Sequence, residues 1–138
     1  MPTSADWLLD TSAAVALIHE RNPAHEEVLG LTDGLTVGLA GHALFETYSV
    51  LTRLPGSARV TPARAREVIE RMFTASAPLL PDVAASALTV MTEAGVAGGS
   101  VYDGLVGLAA KSAGIRLLSC DRRAAGTYAA LRVDVHLV

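Results

Sequence analysis

The chain predicts an α/β fold in which a mostly parallel sheet is covered on both faces by helices. Two observations lead there. Short apolar runs of strand length recur along the 138 residues, and segments of helical character separate one run from the next. In addition, the first run, Trp7-Leu8-Leu9, ends abruptly on Asp10 followed by Thr11 and Ser12. A buried strand that stops on an Asp sets a charge at the rim of a sheet, where ligands and catalytic groups collect in α/β folds.

Each element follows from local chemistry. Residues 7–9 form the first strand, and the Ala- and Leu-rich, breaker-free residues 11–18 form a helix, so Asp10 sits in the junction. Asn22-Pro23 reads as a helix start, with Asn as N-cap and Pro at the first helical position, and residues 24–31 continue it to Thr32-Asp33-Gly34. Residues 35–40 are a second apolar run. A helix over 42–54 puts Leu44, Tyr48 and Leu51 in one stripe and His42, Glu46, Ser49 and Arg53 on another face. Pro55-Gly56-Ser57 breaks the chain and Thr61-Pro62 restarts it as a helix carrying Arg64, Arg66 and Arg71 among Glu67 and Glu70.

Residues 77–80 read as a third strand, and Pro81-Asp82 opens a helix through 93. Residues 95–99 are a flexible Gly-rich connection. Ser100-Val101-Tyr102-Asp103 matches a capping box and leads a small-residue helix to about 112, which Gly114 stops. Residues 115–119 are a fourth strand, Asp121 follows at once, residues 122–128 are a short helix, and 133–138 are a last strand.

Length and composition bound the rest. One domain spanning 1–138, 51% hydrophobic, is long enough to bury a substantial core. The net charge of −3 does not announce a nucleic-acid binder, yet five arginines lie between Arg53 and Arg71. The lone Cys120 excludes an internal disulfide, and no zinc pattern exists, so a reducing compartment is expected. Residues 1–6 lack the basic and apolar regions of a signal peptide, and no apolar run approaches the length of a membrane span. The expectation is a soluble cytosolic protein. A mean hydropathy of +0.39 suggests that another chain covers part of the apolar surface.

Four acids deserve comparison. Each has an ordinary reading: Asp10 and Asp121 as N-caps, Asp103 as part of a capping box, Glu46 as a solvated helix residue near Arg53. Together they form a pattern, because Asp10 and Asp121 both end apolar strands at one rim, while Glu46 and Asp103 open helices near it. Carboxylates so gathered repel one another and call for a divalent cation. Mg²⁺, or Mn²⁺, suits oxygen ligands, and a metal so held supports hydrolysis of a phosphodiester.

The sequence resembles the PIN-domain ribonucleases of the VapC toxin type. The resemblance rests on Leu8-Leu9-Asp10-Thr11-Ser12, on Glu46, on Tyr102-Asp103 with Leu108-Ala109-Ala110 behind it, and on the run Leu117 to Ala124 around Asp121; it covers essentially the whole chain. It implies a three-layer α/β/α sandwich, with metal-binding acids at Asp10, Glu46, Asp103 and Asp121. Ser12 takes the place of the hydroxyl near the first acid, and Ser119 stands where the family often has Thr. The resemblance further implies Mg²⁺-dependent cleavage of RNA, a homodimer and inhibition by a cognate antitoxin.

Other readings stand beside it. A catalytically silent RNA- or protein-binding PIN-like module would keep the fold. A phosphoacceptor receiver also places an Asp after its first strand, but wants a further acid pair and a Lys at a later strand end, and the only lysine here, Lys111, lies inside a helix. The arginine segment reads equally as an RNA-backbone surface or a solvated helix. His42 reads as solvent-facing, Cys120 as a small buried filler, Trp7 as core; Tyr102, like Trp7, is also a candidate for stacking on bases.

Overall fold

The structure is a computed structural model that describes residues 5–138. The reading of residues 1–6 as lacking a signal peptide falls partly on residues 1–4, which lie outside the described residues. Four strands, β1 (Trp7–Leu9), β2 (Val37–Leu39), β3 (Leu117–Ser119) and β4 (Val135–Leu137), form one sheet in the order β2-β1-β3-β4. Every pairing is parallel, with Leu8 opposite both Gly38 and Leu117 and Leu118 opposite His136. Leu8, Leu9, Leu39, Leu117 and Leu118 are fully buried, as expected of strands covered on both faces.

Among the described residues seven helices surround the sheet: α1 (Thr11–Ile18), α2 (His25–Thr32), α3 (Ala43–Thr52), α4 (Pro62–Met72), α5 (Pro81–Ala94), α6 (Ser100–Ala113) and α7 (Ala125–Ala130). They pack in two groups, α1 with α2 and α3, α3 with α4, and separately α5 with α6 and α6 with α7. Parallel crossovers are right-handed. The chain leaves β1 toward β2 on one side and leaves β3 toward β4 on the other, so α1 and α7 lie on opposite faces. That reversal opens a crevice between β1 and β3 at their carboxyl ends, the position where open α/β sheets bind ligands.

Three local expectations are corrected. Residues 77–80 are not a strand. Residues 75–77 do follow the outer edge of β2, with Ala75 N–H donating to Val37, Ala77 N–H to Leu39 and a single parallel bridge between Ala40 and Ala77. The ladder is irregular because Ser76 Oγ rather than a backbone carbonyl takes the Leu39 N–H, and Pro78, lacking an N–H, ends it. The approach is so close that a Cβ at Gly38 would run into the Ala75 carbonyl.

Asn22 does not cap a helix at 24. Its Oδ1 accepts from Ala24 N–H at 2.9 Å, an Asx turn that delays the helix to His25. Nor do Ser100 and Asp103 make a capping box: Gly99 is the N-cap in helical conformation, without a side-chain cap, and Ser100 is already the first helical residue. The capping explanation for Asp103 therefore fails, and its carboxylate is left for another purpose.

Candidate active site

The sequence brings its acids to the β1–β3 crevice by four separate routes. Asp10 follows β1 directly and Asp121 comes two residues after the last residue of β3, so both stand at the carboxyl rim of adjacent strands. Glu46 lies in the first turn of α3, which begins just after β2, and Asp103 in the first turn of α6, which feeds β3. All four line one cavity of about 560 Å³, together with Thr11, Ser12 and Cys120 and the Asn22-Pro23 turn.

Asp10 is the most constrained of them. It is 4% exposed and caps α1, with Oδ1 accepting from Ala13 N–H at 3.0 Å and from Ser12 Oγ at 2.6 Å. Its Oδ2 accepts from the Tyr128 hydroxyl at 2.8 Å. The cap reading is thus correct for Asp10, which also lines the cavity. The same holds for Asp121, whose Oδ1 caps the short 3₁₀ turn Arg122–Ala124 through Arg123 N–H and also meets Arg123 Nε at 3.2 Å.

Two serines join the strand ends. Ser12 Oγ accepts from Cys120 N–H at 2.8 Å and lies 3.4 Å from Ser119 Oγ, which in turn accepts from Asp121 N–H at 3.1 Å. Ser12 therefore couples the Asp10 carboxylate to the backbone that carries Asp121. Thr11 Oγ1 points its hydroxyl toward Glu46 Oε2 at 3.5 Å, and Glu46 makes no ion pair with Arg53.

Electrostatics confirm that the carboxylates feel one another. The Asp103 carboxyl is pushed up to about 6, first by burial and then by the charges of Asp121, Asp10 and Glu46, with Arg123 opposing weakly. A cation would relieve that repulsion. The donors are all carboxylate and hydroxyl oxygens, which suits a hard cation such as Mg²⁺ or Mn²⁺. They surround the cavity rather than already touching: among the described residues no three acids, histidines or cysteines are drawn together as a ready-made metal-ligating group. The site fits a divalent ion in donor chemistry and in charge, and ligation requires the side chains to close inward.

Some residues fall elsewhere. Arg64 and Arg71 pair with the half-buried Glu67, and Arg66 with Glu70, all on α4 with the three arginines exposed, which is how a solvated helix behaves. His42 is exposed and does not line the cavity. Trp7 sits at the opposite end of β1, edge-on to His136, with Arg116 over its ring. Lys111 donates to the Leu131 carbonyl and is absent from the cavity lining, so no lysine serves a receiver-like phosphoacceptor there. Cys120 does line the cavity, but burial, Asp10 and Glu27 push its thiol up to about 11, which keeps it protonated and unreactive.

Sequence reasoning missed Tyr128 and the bridging role of Ser119. The only local signal for Tyr128 was an aromatic hydroxyl in a stretch of alanines, and nothing in the sequence tied it to a residue more than a hundred positions earlier.

Comparisons with known proteins follow the same lines. The family model described as PIN domain matches residues 7–129. Ribonuclease VapC40 of Mycobacterium tuberculosis is 42% identical over 131 residues, covering 94% of this chain and 96% of the relative. Ribonuclease VapC27 of the same species is 38% identical over 130 residues, covering 94% and 93%. Among solved structures, FitAcB from Neisseria gonorrhoeae superposes with a TM-score of 0.72 at 22% identity over 94% of this chain and 95% of that one. VapC20 of Mycobacterium tuberculosis, described as a Sarcin-Ricin loop cleaving toxin, gives 0.64 at 20% identity over 86% and 92%. At those identities the structural likeness speaks to fold alone.

Proposed function

The chain belongs to the PIN-domain family, and from that premise we propose that it is a metal-dependent endoribonuclease, the toxin of a toxin–antitoxin pair, acting as one nuclease unit across residues 1–138. The observation that carries the reading is the meeting of Asp10, Glu46, Asp103 and Asp121 in one cavity at the β1–β3 crevice. Its relatives' names supply the substrate class: two of them, 38% and 42% identical over nearly the whole chain, are ribonucleases.

In this reading Asp10, Asp103 and Asp121 hold one or two Mg²⁺, with Mn²⁺ as an alternative, and Glu46 either joins them or orients the attacking water. A divalent cation in that place supplies a water of lowered pKa and compensates charge on the phosphoryl oxygen. The remaining work belongs to the protein. Ser12 and the Ala13 N–H orient Asp10 by donating to Oδ1. Thr11 steers Glu46 toward the cavity. Ser12 and Ser119 hold the Asp10 and Asp121 loops at a fixed spacing, which would keep the two acids in register for a cation and a phosphodiester.

The partners in this reading are RNA, a cognate antitoxin protein and a second copy of the chain, in the cytoplasm. Exposed Phe45, Leu88 and Tyr102 supply apolar surface for protein partners, and among the described residues no helix is long and apolar enough to cross a membrane.

The test is cleavage of RNA by the purified protein. Wild type should cut in Mg²⁺ or Mn²⁺ and stop on addition of EDTA, and Asp10→Ala should lower the rate by at least about a hundredfold, the scale on which losing a transition-state-stabilising group acts. An Asp10→Ala variant that cuts as well as wild type, or a wild type that cuts nothing in either metal, rejects the proposal.

A further inference from the structure

We propose that Tyr128 is a positioning residue of the nuclease site, holding the Asp10 carboxylate in the orientation that presents one oxygen to a divalent cation. The inference rests on the reading of Asp10 as a metal-binding acid. Among the described residues Tyr128 is the largest fully buried side chain, on the six-residue helix α7. A phenylalanine would fill that space equally well, and a hydroxyl taken into an apolar core costs stability unless it finds a partner. The partner it finds is Asp10 Oδ2, at 2.8 Å.

The geometry makes this bond consequential. An ionised carboxylate offers about four acceptor positions. On Asp10, Ser12 and Ala13 occupy Oδ1, and Tyr128 occupies one position of Oδ2. The uncommitted acceptor is therefore on Oδ2, and Tyr128 is the only one of the three donors that bonds this oxygen. Without it, the carboxylate is held at Oδ1 alone and can turn about that end.

Tyr128 is itself fixed from behind. A Cβ built on Gly107 of α6 would lie 3.1 Å from Tyr128 Cδ1 and 2.9 Å from Val133 Cγ2, so the absence of a side chain at 107 is what admits the ring. Gly107 is one turn along α6 from Asp103, on the same face. The tyrosine thus keys α7 into α6 beside one site acid and reaches from there to another. It ties the rim of β1 to the helix that carries Asp103, which neither Ser12 nor Ser119 does.

Tyr128→Phe tests this, because it removes one oxygen and keeps the ring. Mn²⁺ affinity, measured by calorimetry on the intact chain, should fall roughly ten- to hundredfold, the loss typical when a metal ligand loses its hydrogen-bonded support. In RNA cleavage kcat should fall on a similar scale while KM stays within about twofold, since Tyr128 is too deeply buried to touch RNA. A second variant, Gly107→Ala, pushes on the ring without altering any polar group and should weaken Mn²⁺ binding in the same direction. If Tyr128→Phe binds Mn²⁺ as wild type does, or if either variant lowers only the melting temperature, Tyr128 is a core residue and the proposal is wrong. A wild type that binds no Mn²⁺ overturns the metal-site reading and this inference with it, whereas a wild type that binds and a Tyr128→Phe that binds equally overturns this inference alone.

Discussion

Asp103 shows how much a single carboxylate reveals. Its pKa of about 6 is raised by burial and by three neighbouring acids, so the folded, metal-free protein prefers it protonated more strongly than the unfolded chain does. A raised folded value means that its stabilising contribution is present below the ordinary carboxylate range and is lost as pH rises through about 6. Asp103→Asn should therefore melt close to wild type near the acid end of that window and higher than wild type above it. The difference amounts to about 1 kcal/mol once solvent screening of a half-buried group is allowed for. Thermal melts of both proteins in EDTA across the window check this; a wild type whose advantage grows with pH would contradict the repulsion.

At this scale the sequence was partly legible. Asp10 stood out because an apolar run stopped on it, and Glu46 because no other acid lies between Asp33 and Glu67. Asp103 was legible both as a candidate site acid and as a capping-box member, and only the second reading fails, since the box spacing is met but the helical conformation of Gly99 denies Ser100 the capping position. Tyr128 was hidden because its significance depends on a contact through the core, and residue type alone does not distinguish a tyrosine that packs from one that also donates.

At the level of elements, periodicity and breakers located every helix and all four strands, because apolar runs and Pro or Gly punctuation act locally. The extra strand at 77–80 was the error. The chain there does lie along β2, so its apolar character was rightly read as sheet-adjacent, but Pro78 prevents a ladder. The closeness of that edge makes Gly38 critical. Gly38→Ala would drive a methyl into the Ala75 carbonyl and force β2 away from the 75–77 segment. We expect a loss of about 3 kcal/mol, at the upper end of overpacking penalties, measured by urea denaturation. A change below about 0.5 kcal/mol would mean that the edge is loose and does not help to fix the α3 end of the site.

For the whole molecule, topology explains why acids so distant in sequence meet. The order β2-β1-β3-β4 reverses direction between β1 and β3, and helices on both sides deliver their first turns to the same rim. Strand order is not written in local patterns, which is why the carboxyl-end convergence was an expectation from fold class and became a described arrangement only with the structure. The central proposal is that the four acids serve as one cation site. The direct measurement is a Mn²⁺ binding isotherm on wild type and on Asp10→Asn, Glu46→Gln, Asp103→Asn and Asp121→Asn, each verified as folded. Asp10→Asn, Asp103→Asn and Asp121→Asn should each lose at least about tenfold in affinity, and Glu46→Gln a similar or smaller amount, since each removes a charge from a shared site. Affinity unchanged in Asp10→Asn, Asp103→Asn and Asp121→Asn alike would contradict the cation site.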